Sequence, residues 1–254
     1  MATLSSKIAW VTGAGTGIGL GAAQALAEAG ATVVMSGRRG DVLEREAGKI
    51  LRTGGRVEIE PLDVSNQTAV RRVADAILAR HNKIDILVNS AGLNTTDRYW
   101  RNQTPEGWGE VIRINLDGTF YATSAVLPAM RAQRDGLVIN ISSWAGVHHA
   151  QLTGAAYNAS KHAVTALTET INMEEGIHGI RACAICPAEV ATPIMDRRPV
   201  PPTAEERARM LRPEDLGHTI RFVAELPAHA CINQIIISPT WNRIYLAAAQ
   251  TARG

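Results

Sequence analysis

The sequence predicts an α/β fold: a doubly wound parallel sheet of about seven strands with helices on both faces. Three observations carry that expectation. Short Val- and Ile-rich runs recur along the 254 residues, with helical stretches between them. Most of these runs are apolar throughout, as strands covered on both faces should be. The first run enters a glycine-rich turn that opens directly into an Ala-rich helical pattern. No linker-like break interrupts the alternation, so residues 1–254 are expected to form one domain.

Taken in order, strands are expected at 7–11, 32–36, 56–60, 84–88, 136–141, 180–185 and 232–237. Helices are expected near 17–29, 41–53, 66–81, 105–132, 155–175 and 213–225. Gly30 closes the first helix, and Asp41, after Gly40, reads as the N-cap of the second. Ser65 or Asn66 can cap the third, and Pro213 suits the first position of the last. Right-handed crossovers then give the double winding, with ligands bound beyond the carboxyl ends of the strands. Ala191 to Arg212 breaks the alternation with Pro193, Pro199, Pro201 and Pro202, and is expected to be a lid. The tail from Trp241 to Gly254 ends in small residues and is expected to fray.

Composition excludes several functions. The net charge of +2, from 26 basic and 24 acidic side chains, gives no reason to expect nucleic acid or a membrane surface as partner. No run of 18 apolar residues is present. Met1 to Ser6 carries no signal-peptide pattern, so a cytoplasmic protein is expected. Three cysteines do not make a disulfide framework. Cys183 and Cys186 sit in a strand pattern, where residues three apart point to opposite faces, so core packing is expected rather than a metal site. Several Asn-x-Ser/Thr triplets, Asn158-Ala159-Ser160 among them, carry no meaning for glycosylation without a secretory signal.

Two motifs carry chemistry. Gly13, Gly17 and Gly19 lie between strand and helix, where a backbone free of Cβ atoms can approach a pyrophosphate at the helix N-terminus. Tyr157 and Lys161 stand four residues apart on one helical face. A neighbouring ammonium favours phenolate, so Lys161 is expected to lower the pKa of Tyr157 and make it a general acid/base.

These motifs are joined, in order, by Asp63-Val64, Asn89-Ser90-Ala91-Gly92, Asn115, Ser143 and Pro187 through Thr192. The set resembles the short-chain dehydrogenase/reductases, across most of the chain. The resemblance implies a Rossmann fold and hydride exchange between a nicotinamide and a secondary alcohol or carbonyl. It implies cofactor contacts from Gly13, Thr16, Gly17, Ile18, Gly19, Asp63, Val64, Asn89, Ala91, Gly92, Pro187, Val190 and Thr192. Ser143 would hold the substrate oxygen, and Tyr157 would move the proton. Lys161 would bind the nicotinamide ribose, and Asn115 would continue a proton relay. Arg38 and Arg39 stand where an acid would select NAD, so NADP is expected, with NAD the lesser reading. Ser90 and Ala188 depart from the family pattern, where Asn and Gly are usual.

The C-terminal run, with Leu226-Pro227-Ala228-His229, Ile232-Asn233 and Ile237-Ser238-Pro239-Thr240, is similar to the branch of NADP-dependent 3-hydroxy acid and serine dehydrogenases. A carboxylate substrate would then meet Arg197, Arg198, His148 or His149, with Trp144 and Gln151 lining the pocket. Sugar, steroid or acyl-thioester reduction stays open, as does a non-catalytic NADP-binding sensor or scaffold. Relatives assemble as dimers or tetramers through helices like 105–132 and 155–175, which makes a homotetramer or homodimer the expectation here.

Overall fold

The computed structural model describes residues 3–243 and 245. Its centre is a sheet of seven parallel strands: β1 (Ile8–Thr12), β2 (Thr32–Gly37), β3 (Arg56–Pro61), β4 (Ile86–Asn89), β5 (Gly136–Ile141), β6 (Ile180–Pro187) and β7 (Gln234–Ile237). Their order across the sheet is β3-β2-β1-β4-β5-β6-β7. Winding reverses between β1 and β4, which pair from Ala9↔Ile86 to Thr12↔Asn89. A crevice opens at such a reversal because successive crossovers leave on opposite faces.

The helices are α1 (Gly17–Glu28), α2 (Gly40–Arg52), α3 (Gln67–His81), α4 (Pro105–Ile112), α5 (Gly118–Gln133), α6 (Ala155–Glu175), α7 (Ala204–Ala208) and α8 (Pro213–Ala224). One core packs Leu26 of α1, Leu43 of α2 and Leu216 of α8 onto one face of the sheet. The other packs Val73 and Ile77 of α3, Val126 of α5 and Ile171 of α6 onto the opposite face. Trp10, Val11, Val34 and Leu87 are fully buried, which is why these strands read as unbroken apolar runs.

Asn66 caps α3, its side chain accepting from the Ala69 N–H at 3.0 Å. Pro213 opens α8 as expected. Asp41 does not cap α2: the helix begins a residue earlier, Arg39 holds the cap position, and Asp41 falls in the first turn. There its charge still favours the helix dipole, so the residue suits its place without capping.

The helix expected over 105–132 is interrupted. Arg113–Asp117 forms a π-helical turn between α4 and α5. The extra residue leaves backbone groups unpaired locally, and such turns recur at functional sites. Cys183 and Cys186 are both buried in β6, in keeping with core packing. Residues 246–254, most of the expected fraying tail, lie outside the described residues.

Candidate active site

Gly13 follows β1 at φ +66°, and a Cβ there would meet the Ala91 nitrogen at 2.7 Å. Thr12 sets that approach, its hydroxyl accepting from Ser90 and Ala91 N–H groups at 3.2 and 3.3 Å. Gly17 lies at φ +57°, and a Cβ there would stand 3.0 Å from the Thr192 side chain. Thr16 occupies the N-cap of α1 without using its side chain as a cap. The first N–H groups of that helix have no intrahelical partner and stand at the cleft.

Gly13, Thr16, Gly17, Ile18, Arg38, Arg39, Asp63, Val64, Ala91, Gly92, Ser143, Tyr157, Lys161, Pro187, Val190 and Thr192 all line one cleft of about 310 Å³. Gly19, Asn89 and Asn115 stand behind its wall. Gly19 packs under the loop, where a Cβ would strike the Gly13 carbonyl. Asn89 turns its side chain into the core, donating to Thr123 Oγ1 at 3.1 Å and Asn140 Oδ1 at 2.9 Å.

Asn115 sits in the π turn. It accepts from the Leu93 N–H at 2.8 Å and donates to Leu93 O and Ser160 Oγ at 3.0 and 3.1 Å. A Cβ on Gly92 would meet Asn115 Oδ1 at 3.5 Å and Lys161 Nζ at 3.6 Å. The two groups therefore flank the same glycine.

At the β2 end, Arg38 and Arg39 are exposed and form no salt bridge among the described residues. Burial pushes the Asp63 carboxyl up, but two hydrogen bonds from Ser65 and the Arg38 charge prevail, so it lies below its ordinary value.

At the β5 end, the two serines divide their work. Ser142 donates to the Lys161 carbonyl at 2.9 Å and so supports α6. Ser143 accepts from Ala145 N–H at 3.1 Å and hydrogen-bonds the Tyr157 phenol. Lys161 is buried and donates to the Ile141 carbonyl at 2.7 Å, with its Nζ 5.6 Å from the Tyr157 ring centroid. Burial draws its pKa down to about 8, with a small opposing effect from Cys186.

The expected effect of Lys161 on Tyr157 is corrected here. Burial raises the Tyr157 pKa above its ordinary value, against the Ser143 hydrogen bond and the charges of Arg98 and Arg198. Lys161, over the face of the Tyr157 ring, gives its hydrogen bond to the Ile141 carbonyl of β5.

Ala188, where the family usually has Gly, is unstrained: Asn82 and Arg134 are the non-glycine residues at positive φ among those described. Of the cations expected to meet a carboxylate, Arg197 lines the cleft. Arg198 is committed to Glu189 at 2.7 Å. His148 packs at a tilt against Trp144, and His149 stacks on His162. Trp144 is buried and Gln151 is exposed, both outside the cleft lining.

Arg98 escaped the sequence reading. It is 3% exposed, and its place beside Tyr157 has no local motif to announce it. Among the described residues, no group of three or more His, Cys, Asp or Glu could hold a metal ion. No helix among them is long and apolar enough to cross a membrane.

A glycine turn open to a helix N-terminus, beside a half-buried Tyr157 with buried Lys161 and Ser143 on the same cleft, defines a dinucleotide-dependent oxidoreductase. The chain belongs to the short chain dehydrogenase family, whose model matches residues 7–200. It is 33% identical over 240 residues to an uncharacterized oxidoreductase of Staphylococcus saprophyticus, covering 94% of this chain and 100% of that one. A metagenomic short-chain oxidoreductase in complex with NADP superposes with a TM-score of 0.82 at 30% identity, covering 94% of this chain and 100% of that chain. The closed form of a serine dehydrogenase complexed with NADP+ gives 0.85 at 31%, covering 92% and 96%.

Proposed function

We propose that the protein is an NADP(H)-dependent reductase of a carbonyl group, acting reversibly on the corresponding secondary alcohol, with Tyr157 as the proton donor. The observation that carries this reading is the meeting of Ser143, Tyr157 and Lys161 on the one cleft that the glycine turn opens. The residues fit NADP. Glycine positions with no space for a Cβ form a close backbone approach, and two exposed arginines that form no salt bridge among the described residues stand at the end of β2, suited to a 2′-phosphate. When bound, the nicotinamide supplies the hydride.

The chain's own groups do the rest. Gly13, Thr16, Gly17 and Ile18 bind the pyrophosphate. Arg38 pairs the 2′-phosphate, and Arg39 supports it. Asp63 and Val64 receive the adenine, beside Ala91 and Gly92. Pro187, Val190 and Thr192 fix the nicotinamide side. Ser143 orients the substrate oxygen against Tyr157. Lys161 meets the ribose, and Asn115 holds the relay behind it. A phenol with a raised pKa keeps its proton at neutral pH, which suits reduction. Alcohol oxidation then calls for alkaline pH.

The segment 191–212 acts as a lid. It is pinned by the Val190↔Leu211 bridge and by Glu189, which binds Arg198 and Arg243. A 3-hydroxy acid or similar small polar substrate is the reading we favour, supported by the likeness to a serine dehydrogenase and by Arg197 at the cleft. A homotetramer or homodimer is the proposed assembly. Assaying 3-hydroxybutanoate, L-threonine, cyclohexanol and their carbonyl partners with NADP(H) and NAD(H), by nicotinamide absorbance, tests the reading. Turnover of the acids with NADP is expected. Turnover with NAD alone, or of cyclohexanol alone, defeats the cofactor or substrate part respectively.

A further inference from the structure

The segment between β4 and α4 holds a buried cation with no acid beside it. Arg98 is 3% exposed. Its Nε donates to the Thr95 carbonyl at 2.7 Å, and its Nη2 donates to the Arg197 carbonyl at 2.6 Å. Among the described residues no carboxylate pairs with it. Two neutral carbonyls compensate a guanidinium poorly, so a buried site of this kind is costly for folding alone.

Its backbone is fixed as firmly as its side chain. The Ala155 N–H, in the first turn of α6, donates to the Arg98 carbonyl at 3.4 Å. Gly154, at φ +75°, has no space for a Cβ, which would strike the Arg98 carbonyl and stand 2.7 Å from the Arg98 Cβ. Arg98 thus touches three bodies: its own loop, the start of the helix that carries Tyr157, and segment 191–212.

We propose that Arg98 is a positioning residue that ties segment 191–212 to the start of α6 and sets a fixed positive charge beside the Tyr157 phenol. The inference rests on the proton-transfer reading above for its use, though not for its test. Other groups facing Tyr157 are Ser143 from the end of β5, Arg198 from segment 191–212 and Lys161 on its own helix. Arg198 shares its charge with Glu189, and Lys161 donates to Ile141. Arg98 is the cation among these with neither an acid nor a β5 carbonyl to hold it. Tyr99 favours its charge and Arg198 opposes it. Its own pKa is drawn down by burial first, from an ordinary value high enough to leave it charged at neutral pH.

The test compares Arg98→Met and Arg98→Lys with the parent protein, using Tyr157→Phe as the spectroscopic blank. The alkaline rise in tyrosinate absorbance is recorded without substrate, and the blank is subtracted. The Tyr157 midpoint is expected to rise by about 0.5–1 pH unit in the Met variant and to stay near the parent value in the Lys variant. Tryptic cleavage after Arg197, followed by mass spectrometry, is expected to quicken several-fold in both, since neither keeps the two-carbonyl guanidinium clasp.

A Met variant with parental circular dichroism and NADP binding but an unmoved midpoint overturns the proposal. Should the Met variant fail to fold, the Lys variant decides: a displaced midpoint or unchanged cleavage overturns it. Turnover by Tyr157→Phe would defeat the proton-transfer reading, while the titration would still report whether Arg98 acts on the phenol.

Discussion

The two ends of the cleft are built from different materials. At the β1–β2 end the walls are main chain: glycines at positive φ, open helix N–H groups, and a turn pressed within contact of Ala91. At the β5–β6 end the walls are side chains, Ser143, Tyr157 and buried Lys161, with the buried Arg98 and the Glu189 ion pairs behind them. The first end works by shape and needs local sequence only. The second depends on which distant groups reach one point, and on how burial changes their ionisation.

The sharpest way to break this contrast is Tyr157→Phe. It should lower kcat by about 100-fold or more while NADP affinity is retained, as measured by turnover and by quenching of protein fluorescence. A parallel loss of NADP binding would mean that the phenol itself holds the cofactor rather than only moving the proton.

Arg38→Ser probes the other end. Losing a charge-assisted contact to phosphate should weaken NADP by about 10- to 100-fold and leave NAD little changed, read as KM for each cofactor. An equal loss for both would place Arg38 outside the 2′-phosphate site.

Glu189→Gln should have the smallest effect, and a pH-dependent one. Burial pushes the Glu189 carboxyl up, but hydrogen bonds and charge from Arg243 and Arg198 prevail and hold it below its ordinary value. Its contribution is then fully present above the unfolded pKa, and is lost as pH falls through the lower folded value. The difference in Tm between parent and variant should be a few degrees at pH 7 and should shrink below pH 4.5. A gap that stays constant down to pH 3 would show packing, not charge, at that joint.

Legibility in the sequence follows the same division. Strand positions and glycine placement were readable because both are short-range: an apolar run, a turn and a helix occupy successive residues. Even so, the helix expected over 105–132 hides a π turn at 113–117. One added residue barely alters an apolar period, so the pattern passes over it. Asp41 read as a cap because its neighbour is Gly40, yet α2 begins one residue earlier. The Tyr157-Lys161 spacing was readable, whereas the direction of the Tyr157 pKa was not. Four residues of separation place the ammonium near the ring, but only the fold shows that it donates to Ile141 instead.

By itself, the sequence determined the doubly wound architecture, the glycine cradle and the identity of the Ser143, Tyr157 and Lys161 side chains. These are fixed by residue type and short spacing, which survive without knowledge of distant neighbours. Tertiary structure alone decided that Arg98 and Arg197, 99 positions apart, share a hydrogen bond, and that the Lys161 ammonium donates to the Ile141 carbonyl. The physical reason is that desolvation and Coulomb forces depend on distance through space and on the surrounding medium, neither of which is written in the order of residues.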